Sequence, residues 1–262
     1  MTIRPISLVE GEYYHVYNRG NSKQKIFFDE HDYNRFVKLL YLCNSRHKVD
    51  FREDIVRKKI NAFDFGRGEN IVSIGAWVLM PNHFHIYVTI NKQSSQKLRK
   101  TGFRKNEISE FMHKLLTSYS KYFNKKYNRT GILFEARFKS THINNDNYAK
   151  YIFSYIHLNP IKLVDKNWKV SIVQNIKSFK TFLENYKWSS YLDFIGISRL
   201  ENKILDIKNF PTYFDDIKDL NRELEDWLKF KVAEDGLPQL PQSDKPMREC
   251  QIFPLMKPRK KE

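Results

Sequence analysis

The sequence predicts an α+β domain: an antiparallel β-sheet flanked by α-helices, with an irregular, partly helical C-terminal extension. Three observations carry this. β-rich runs alternate with amphipathic stripes in the order strand, helix, strand pair, helix, strand, helix. Only Pro81-Asn82 separates two of the β-rich runs, which is hairpin spacing and so antiparallel. Prolines at 238, 241, 246, 254 and 258 mark the last stretch as irregular.

Taken in order, Tyr13-Tyr-His-Val-Tyr-Asn18 is rich in β-formers and runs into Arg19-Gly20, a strand followed by a turn. From about Asp32 to Arg46, Tyr33, Phe36, Val37, Leu40 and Tyr41 recur at helical spacing. Residues 48–70 are polar, contain Gly66 and Gly68, and read as a surface excursion. Ile71–Met80 and His83–Ile90 are the strand pair. An amphipathic helix spans about Asn106–Lys126, with Ile108, Phe111, Met112, Leu115, Tyr119 and Phe123 on one stripe. Gly131 breaks it, and Ile132–Ile143 reads as strand or extended chain. Asn144-Asn-Asp146 offers an N-cap for a helix that Asn159-Pro160 should stop. Trp188-Ser-Ser-Tyr191 closes the folded core, so the division is 1–195 and 196–262, with one helix expected at Asp215–Val232.

Composition narrows the function. The 262 residues carry 46 Lys+Arg against 30 Asp+Glu, a net charge of +16. All of that excess falls within residues 1–195, because 196–262 is neutral. The 20 Phe and 15 Tyr are too many for a disordered polycation. The longest apolar run is too short to span a bilayer, and Met1-Thr-Ile-Arg-Pro5 has no secretory core, so a cytoplasmic location is expected. Cys43 and Cys250 make neither a disulfide framework nor a zinc-finger pattern. A polyanionic partner is the leading expectation. The stretch Lys92–Lys139 concentrates basic residues among aromatics, which suits phosphates and unpaired bases.

Two short motifs carry chemistry. His83 and His85 stand two apart in a strand-like run, so they share a face and can share a metal ion, while Phe84 faces the other way. Alone, such a pair is weak evidence, since exposed strand histidines are common. Tyr155 and Asn159 stand at i and i+4 of a helix and project together. An amide there could complete a site begun by two imidazoles, and a phenol could attack a phosphorus that the metal polarises. Spacing does not separate Tyr155 from Tyr151, because Tyr148, Tyr151 and Tyr155 form one stripe. His157 projects about 160° away and is expected to pack or to touch phosphate. Trp77, Trp168 and Trp188 read as core anchors.

Met80-Pro-Asn-His-Phe-His85 followed by Tyr155-Ile-His-Leu-Asn-Pro160 resembles the single-tyrosine HUH transposases of simple insertion sequences. It resembles more closely their domesticated relatives, the REP-associated tyrosine transposases. Tyr14-His-Val-Tyr-Asn-Arg-Gly20, Tyr122-Phe-Asn124, Arg137-Phe-Lys-Ser140 and Trp188-Ser-Ser-Tyr191 extend the match over about residues 12–195. The excursion at 48–70 and the extension 196–262 depart from it.

The resemblance implies a ferredoxin-like, RRM-like palm with the histidines on a central strand. It implies Tyr155 as nucleophile, with His83, His85 and Asn159 holding Mg²⁺ or Mn²⁺. The implied activity is transposase chemistry: cleavage of hairpin-marked single-stranded DNA through a 5′-phosphotyrosine, with rejoining of strands. Some relatives exchange the tyrosine helix between subunits, which leaves a homodimer open. For DNA contact, Arg19, Arg137 and Lys139 lie within matching motifs, and Lys97, Arg99, Lys100, Arg104 and Lys105 lie in the basic stretch. A non-catalytic binder of nucleic-acid hairpins is the alternative. A metal-dependent phosphoesterase is a third reading, which leaves the basic surface unexplained.

Overall fold

Tyr13–Arg19 forms β1, and the rest of the sheet is built outward from it. A computed structural model describes residues 8–90, 106–165 and 176–229. β2 (Ser73–Met80) and β3 (His83–Thr89) form the antiparallel hairpin around Pro81-Asn82. β1 pairs antiparallel with β3 on one side and with β4 (Lys139–Ile143) on the other, giving the order β2-β3-β1-β4. Helix α1 (Glu30–Leu42) connects β1 to β2, and α2 (Glu107–Lys126) lies between β3 and β4. This is the split β-α-β-β-α-β arrangement of ferredoxin-like domains, as the α+β expectation requires.

Three of the helices begin where a short polar side chain satisfies a first-turn amide. Asp29 accepts from the Asp32 amide at α1, and Asn106 accepts from Ser109 at α2. Asn145 accepts from Tyr148 at α3 (Asp146–Leu158). Both faces of the sheet are covered. On one face α1 and α2 bury Phe36, Leu40, Phe111 and Leu115 against Val16, Trp77, Phe84 and Ile86. On the other, α3 buries Ile152 and Ile156 against Ala76, Val78 and Tyr87. Burying a side chain of this size contributes about 1.5–3 kcal/mol, which explains why the stripe residues set the helix orientations. Trp77 is fully buried and Trp188 stacks on Tyr33 with ring centroids 4.8 Å apart, while Trp168 lies outside the described residues. No helix among the described residues is long and apolar enough to cross a membrane.

Several local expectations need correction. The 48–70 excursion is not plain loop: Phe51–Arg57 forms a π-helical turn, started by the Asp50 carboxylate, and Ala62–Asp64 a 3₁₀ turn. Of Ile132–Ile143, read as strand or extended chain, Lys139–Ile143 is the strand that pairs with β1, while Phe134 makes only an isolated bridge to Gly20. Pro160 ends α3, but the backbone continues as a 3₁₀ helix over Asn159–Leu163, because proline at the start of a new turn lacks only an N–H that would be unbonded anyway. Ile176–Asn185 forms α4, which the pattern did not reveal.

The Trp188-Ser-Ser-Tyr191 segment is clipped to β2: the Trp77 amide donates to Ser190 Oγ at 2.9 Å, and Ser190 N–H donates to the Trp77 carbonyl at 2.9 Å. The short α5 (Tyr191–Phe194) follows. Beyond it, Asp206 N–H donates to the Ile74 carbonyl, and Phe210 packs on Tyr13 and Tyr87 with centroids 5.5 and 4.8 Å apart. A Cβ on Gly75 would lie 2.8 Å from the Phe210 ring, so glycine permits this approach at the β2 bulge. Helix α6 (Ile217–Lys229) then packs against α3, with Trp227 5.1 Å from Tyr151.

Candidate metal and tyrosine site

In the β1–β3 register Tyr17 faces His85 and Arg19 faces His83. Paired residues share a sheet face, so one face gathers His15, Tyr17, Arg19, His83 and His85 beneath α3. The His83 and His85 rings meet edge to face with centroids 5.0 Å apart. The Tyr155 ring, in the last full turn of α3, stands 5.3 Å from His85 at 81° and 6.2 Å from His15. Residues about seventy positions apart thus come together with neighbouring ring centroids 5.0 to 6.2 Å apart.

Asn159 lies one helical turn beyond Tyr155 and is fully buried. Its amide sits close enough to His83 and Tyr155 to raise the pKa of the first and lower that of the second. Neither Oδ1 nor Nδ2 nevertheless closes a hydrogen bond of proper geometry among the described residues. Buried amides are almost always satisfied, so this one has spare capacity directed into the site.

The donor set fits a divalent ion. His83 Nδ1 lies 2.6 Å from Asn82 Oδ1, and Asn82 Nδ2 donates to the Lys23 carbonyl at 3.2 Å, which fixes the amide's orientation. Asn82 Oδ1 can only accept, so His83 is protonated at Nδ1 and offers the Nε2 lone pair. His85 Nδ1 is engaged by His15 Nε2 at 2.8 Å, so Nε2 is the nitrogen that could ligate an ion. Burial, with the Lys162 charge second, pushes the His83 pKa down to about 4, so the ring is neutral at pH 7 although one edge remains accessible. No group of three His, Cys, Asp or Glu able to hold a metal occurs among the described residues. A third donor to an ion held here would be of another type, and the buried Asn159 amide beside His83 could supply it. Two imidazoles and an amide oxygen suit a mixed nitrogen–oxygen ion site.

The phenol of Tyr155 is 6% exposed, and burial pushes its pKa well above the ordinary tyrosine value, with Asn159 opposing and Tyr17 reinforcing the rise. Lys162 Nζ lies 3.4 Å from the Tyr155 hydroxyl oxygen. Tyr151, which the spacing could not separate from Tyr155, packs instead against Trp227. His157 is fully buried, with Nε2 2.8 Å from Ser190 Oγ, so it packs rather than facing the site.

Sequence reasoning missed two neighbours of the site. His15 gave no signal beyond strand propensity, and only the β1–β3 register reveals that it backs His85. Lys162 sits beyond the proline expected to end the helix. Of the expected DNA contacts, Arg19 is held in a bidentate pair by Glu135, at 2.5 and 2.7 Å. Lys139 opens β4 opposite Tyr17 on the site face, and Arg137 is exposed two residues before it. Lys97, Arg99, Lys100, Arg104 and Lys105 lie outside the described residues.

No family model matches the chain, and no curated protein matches it. Among solved structures, one similar chain is a REP-associated tyrosine transposase bound to a REP hairpin. It is 13% identical, with 77% of this chain and 90% of that chain covered and a TM-score of 0.42. Another is a bacterial tRNA(His) guanylyltransferase-like protein in complex with ATP. That one is 13% identical, with 70% and 71% covered and a TM-score of 0.34. At these scores neither likeness carries a functional argument, and the site's own residues must do so.

Proposed function

We propose that this chain is a metal-dependent, single-stranded DNA transesterase, a transposase or a domesticated homologue of one. It cleaves hairpin-marked DNA through a 5′-phosphotyrosine at Tyr155 and can rejoin the strands. The supporting observation is the convergence of His83, His85, Tyr155 and the unsatisfied Asn159 amide on one sheet face. His83, His85 and Asn159 would hold Mg²⁺ or Mn²⁺, and that ion would offset the charge that builds on the scissile phosphate during in-line attack.

The chain's own residues supply the rest. Tyr155 Oη attacks phosphorus, the bond to the 3′ oxygen breaks, and a 3′-hydroxyl is released. Burial of Tyr155 keeps water from the same attack, so the covalent intermediate persists until a 3′-hydroxyl returns. The phosphodiester energy is conserved in the tyrosyl ester, and no nucleotide cofactor is required. Basic side chains at the same end of the sheet, Arg137 and Lys139, would take neighbouring phosphates.

The alternative is a non-catalytic hairpin binder, which would leave the Tyr155 phenol, its pKa raised by burial, unused. The two readings separate in one experiment. Single-stranded DNA from the gene's own flanks is incubated with the protein and Mn²⁺ or Mg²⁺, then run on a denaturing gel. The transesterase reading expects a covalent adduct in wild type and none in Tyr155→Phe. Salt-sensitive hairpin binding with no adduct in either ion would select the binder.

A further inference from the structure

We infer that the Lys162 ammonium is the anion-holding group of this site, gripping a non-bridging oxygen of the scissile phosphate and of the phosphate bonded to Tyr155. The inference rests on the transesterase reading and assigns a residue that the motifs do not contain.

Lys162 belongs to the 3₁₀ turn that carries Asn159, so one short rigid element presents an amide and an ammonium to the same space. Its Nζ lies 3.4 Å from Tyr155 Oη and 5.2 Å from the centre of the phenol ring. Any phosphorus bonded to Oη carries two non-bridging oxygens around that atom. One of them falls within reach of an ammonium already beside Oη on a flexible stem. Lys162 is also a cation without a counter-charge: no carboxylate among the described residues pairs with it, and burial lowers its pKa. Other basic residues of the domain differ. Arg19 is closed by Glu135, and Lys126 by Asp29 and Asp32. A half-buried charge with no carboxylate partner is costly, and an arriving phosphate removes that cost.

In the step itself, the Oη–P bond forms and the P–O3′ bond breaks. In net terms the proton that the phenol loses is regained by the leaving 3′ oxygen, so the step balances without another reactant. Lys162 keeps its protons throughout and donates a hydrogen bond to phosphate, so it serves cleavage and rejoining alike.

The test compares Lys162→Met and Lys162→Arg with wild type and with Tyr155→Phe. Adduct formation and rejoining should both slow by about 100-fold in Lys162→Met, the scale of losing one charge-stabilising donor, and recover in part in Lys162→Arg. A second measurement uses Tyr155→Phe, where no chemistry intervenes. It should bind an oligonucleotide with a normal scissile phosphate more tightly than one with a neutral methylphosphonate there, and adding Lys162→Met should erase that preference. Unchanged rates, or a phosphate preference that survives Lys162→Met, would overturn the inference. If Lys162→Met does not fold, Lys162→Gln is read in the same two assays. An adduct that persists in Tyr155→Phe instead defeats the underlying reading, a result distinct from any failure of Lys162.

Discussion

Nε2 of His15 lies 2.8 Å from Nδ1 of His85, joining β1 to β3 on the face that α3 covers. Only one of these nitrogens can carry the proton. If His85 donates, its Nε2 holds a lone pair and can ligate a metal; if His15 donates, Nε2 of His85 is protonated and cannot. A metal ion bound at His85 would therefore select the first arrangement, with His15 accepting. His15 is fully buried, and burial pushes its pKa down to about 3, so it stays neutral and able to accept. This is the outer-shell support that ligating histidines ordinarily have.

His15→Ala should weaken Mn²⁺ binding by roughly 10- to 100-fold, and His15→Gln, which keeps an acceptor, should recover part of the loss. Titration calorimetry on the DNA-free protein measures it. An Mn²⁺ affinity that ignores both substitutions would remove His15 from the site.

Acid should destabilise the fold before carboxylates titrate. His15 and His157 are fully buried with pKa values lowered to about 3, against an ordinary value of 6.5. Both bind protons more readily in the unfolded chain, so their contribution is complete above pH 6.5 and declines as pH falls towards 3. At pH 5 each should cost about 2 kcal/mol relative to pH 7. Urea unfolding at pH 7, 6 and 5 tests this. A midpoint that does not move between pH 7 and 5 is the contrary result.

Asp32 binds α1 to α2. It is fully buried, accepts from Tyr122 at 3.0 Å, from Tyr127 at 2.7 Å and from the Phe28 amide at 2.8 Å, and pairs with Lys126 at 2.8 Å. Asp32→Ala removes the acceptor of three donors, leaves Lys126 with Asp29 alone, and should cost about 3–5 kcal/mol. Lys126→Met, which leaves the tyrosine donors in place, should cost less. Denaturant melts rank the two variants, and equal costs would show that the ion pair, not the hydroxyl network, dominates.

The parts of this molecule legible in its sequence are those with a local signature. Two β-rich runs around Pro81-Asn82 marked the β-hairpin, the helical stripe marked α2 from its Asn106 cap to Lys126, and Asn145 marked the start of α3. The histidine pair and the Tyr155–Asn159 spacing were visible because each lies within one element. Their meeting was not, since it depends on which strand lies beside which. Likewise nothing local marks His15 or Lys162, whose roles arise from register and from a turn that continues past Pro160. The π-helical turn at Phe51–Arg57 was hidden because a polar, charged segment has no apolar stripe to announce it.

The most direct test of the central claim is to map the attachment point of cleaved DNA. The protein is incubated with single-stranded DNA and Mn²⁺, digested with nuclease and protease, and the nucleotide-bearing peptide is sequenced by mass spectrometry. The account predicts one modified residue, Tyr155, and no modified peptide from Tyr155→Phe. A nucleotide on Tyr151 or any other side chain, or cleavage that leaves no covalent mark, would contradict it.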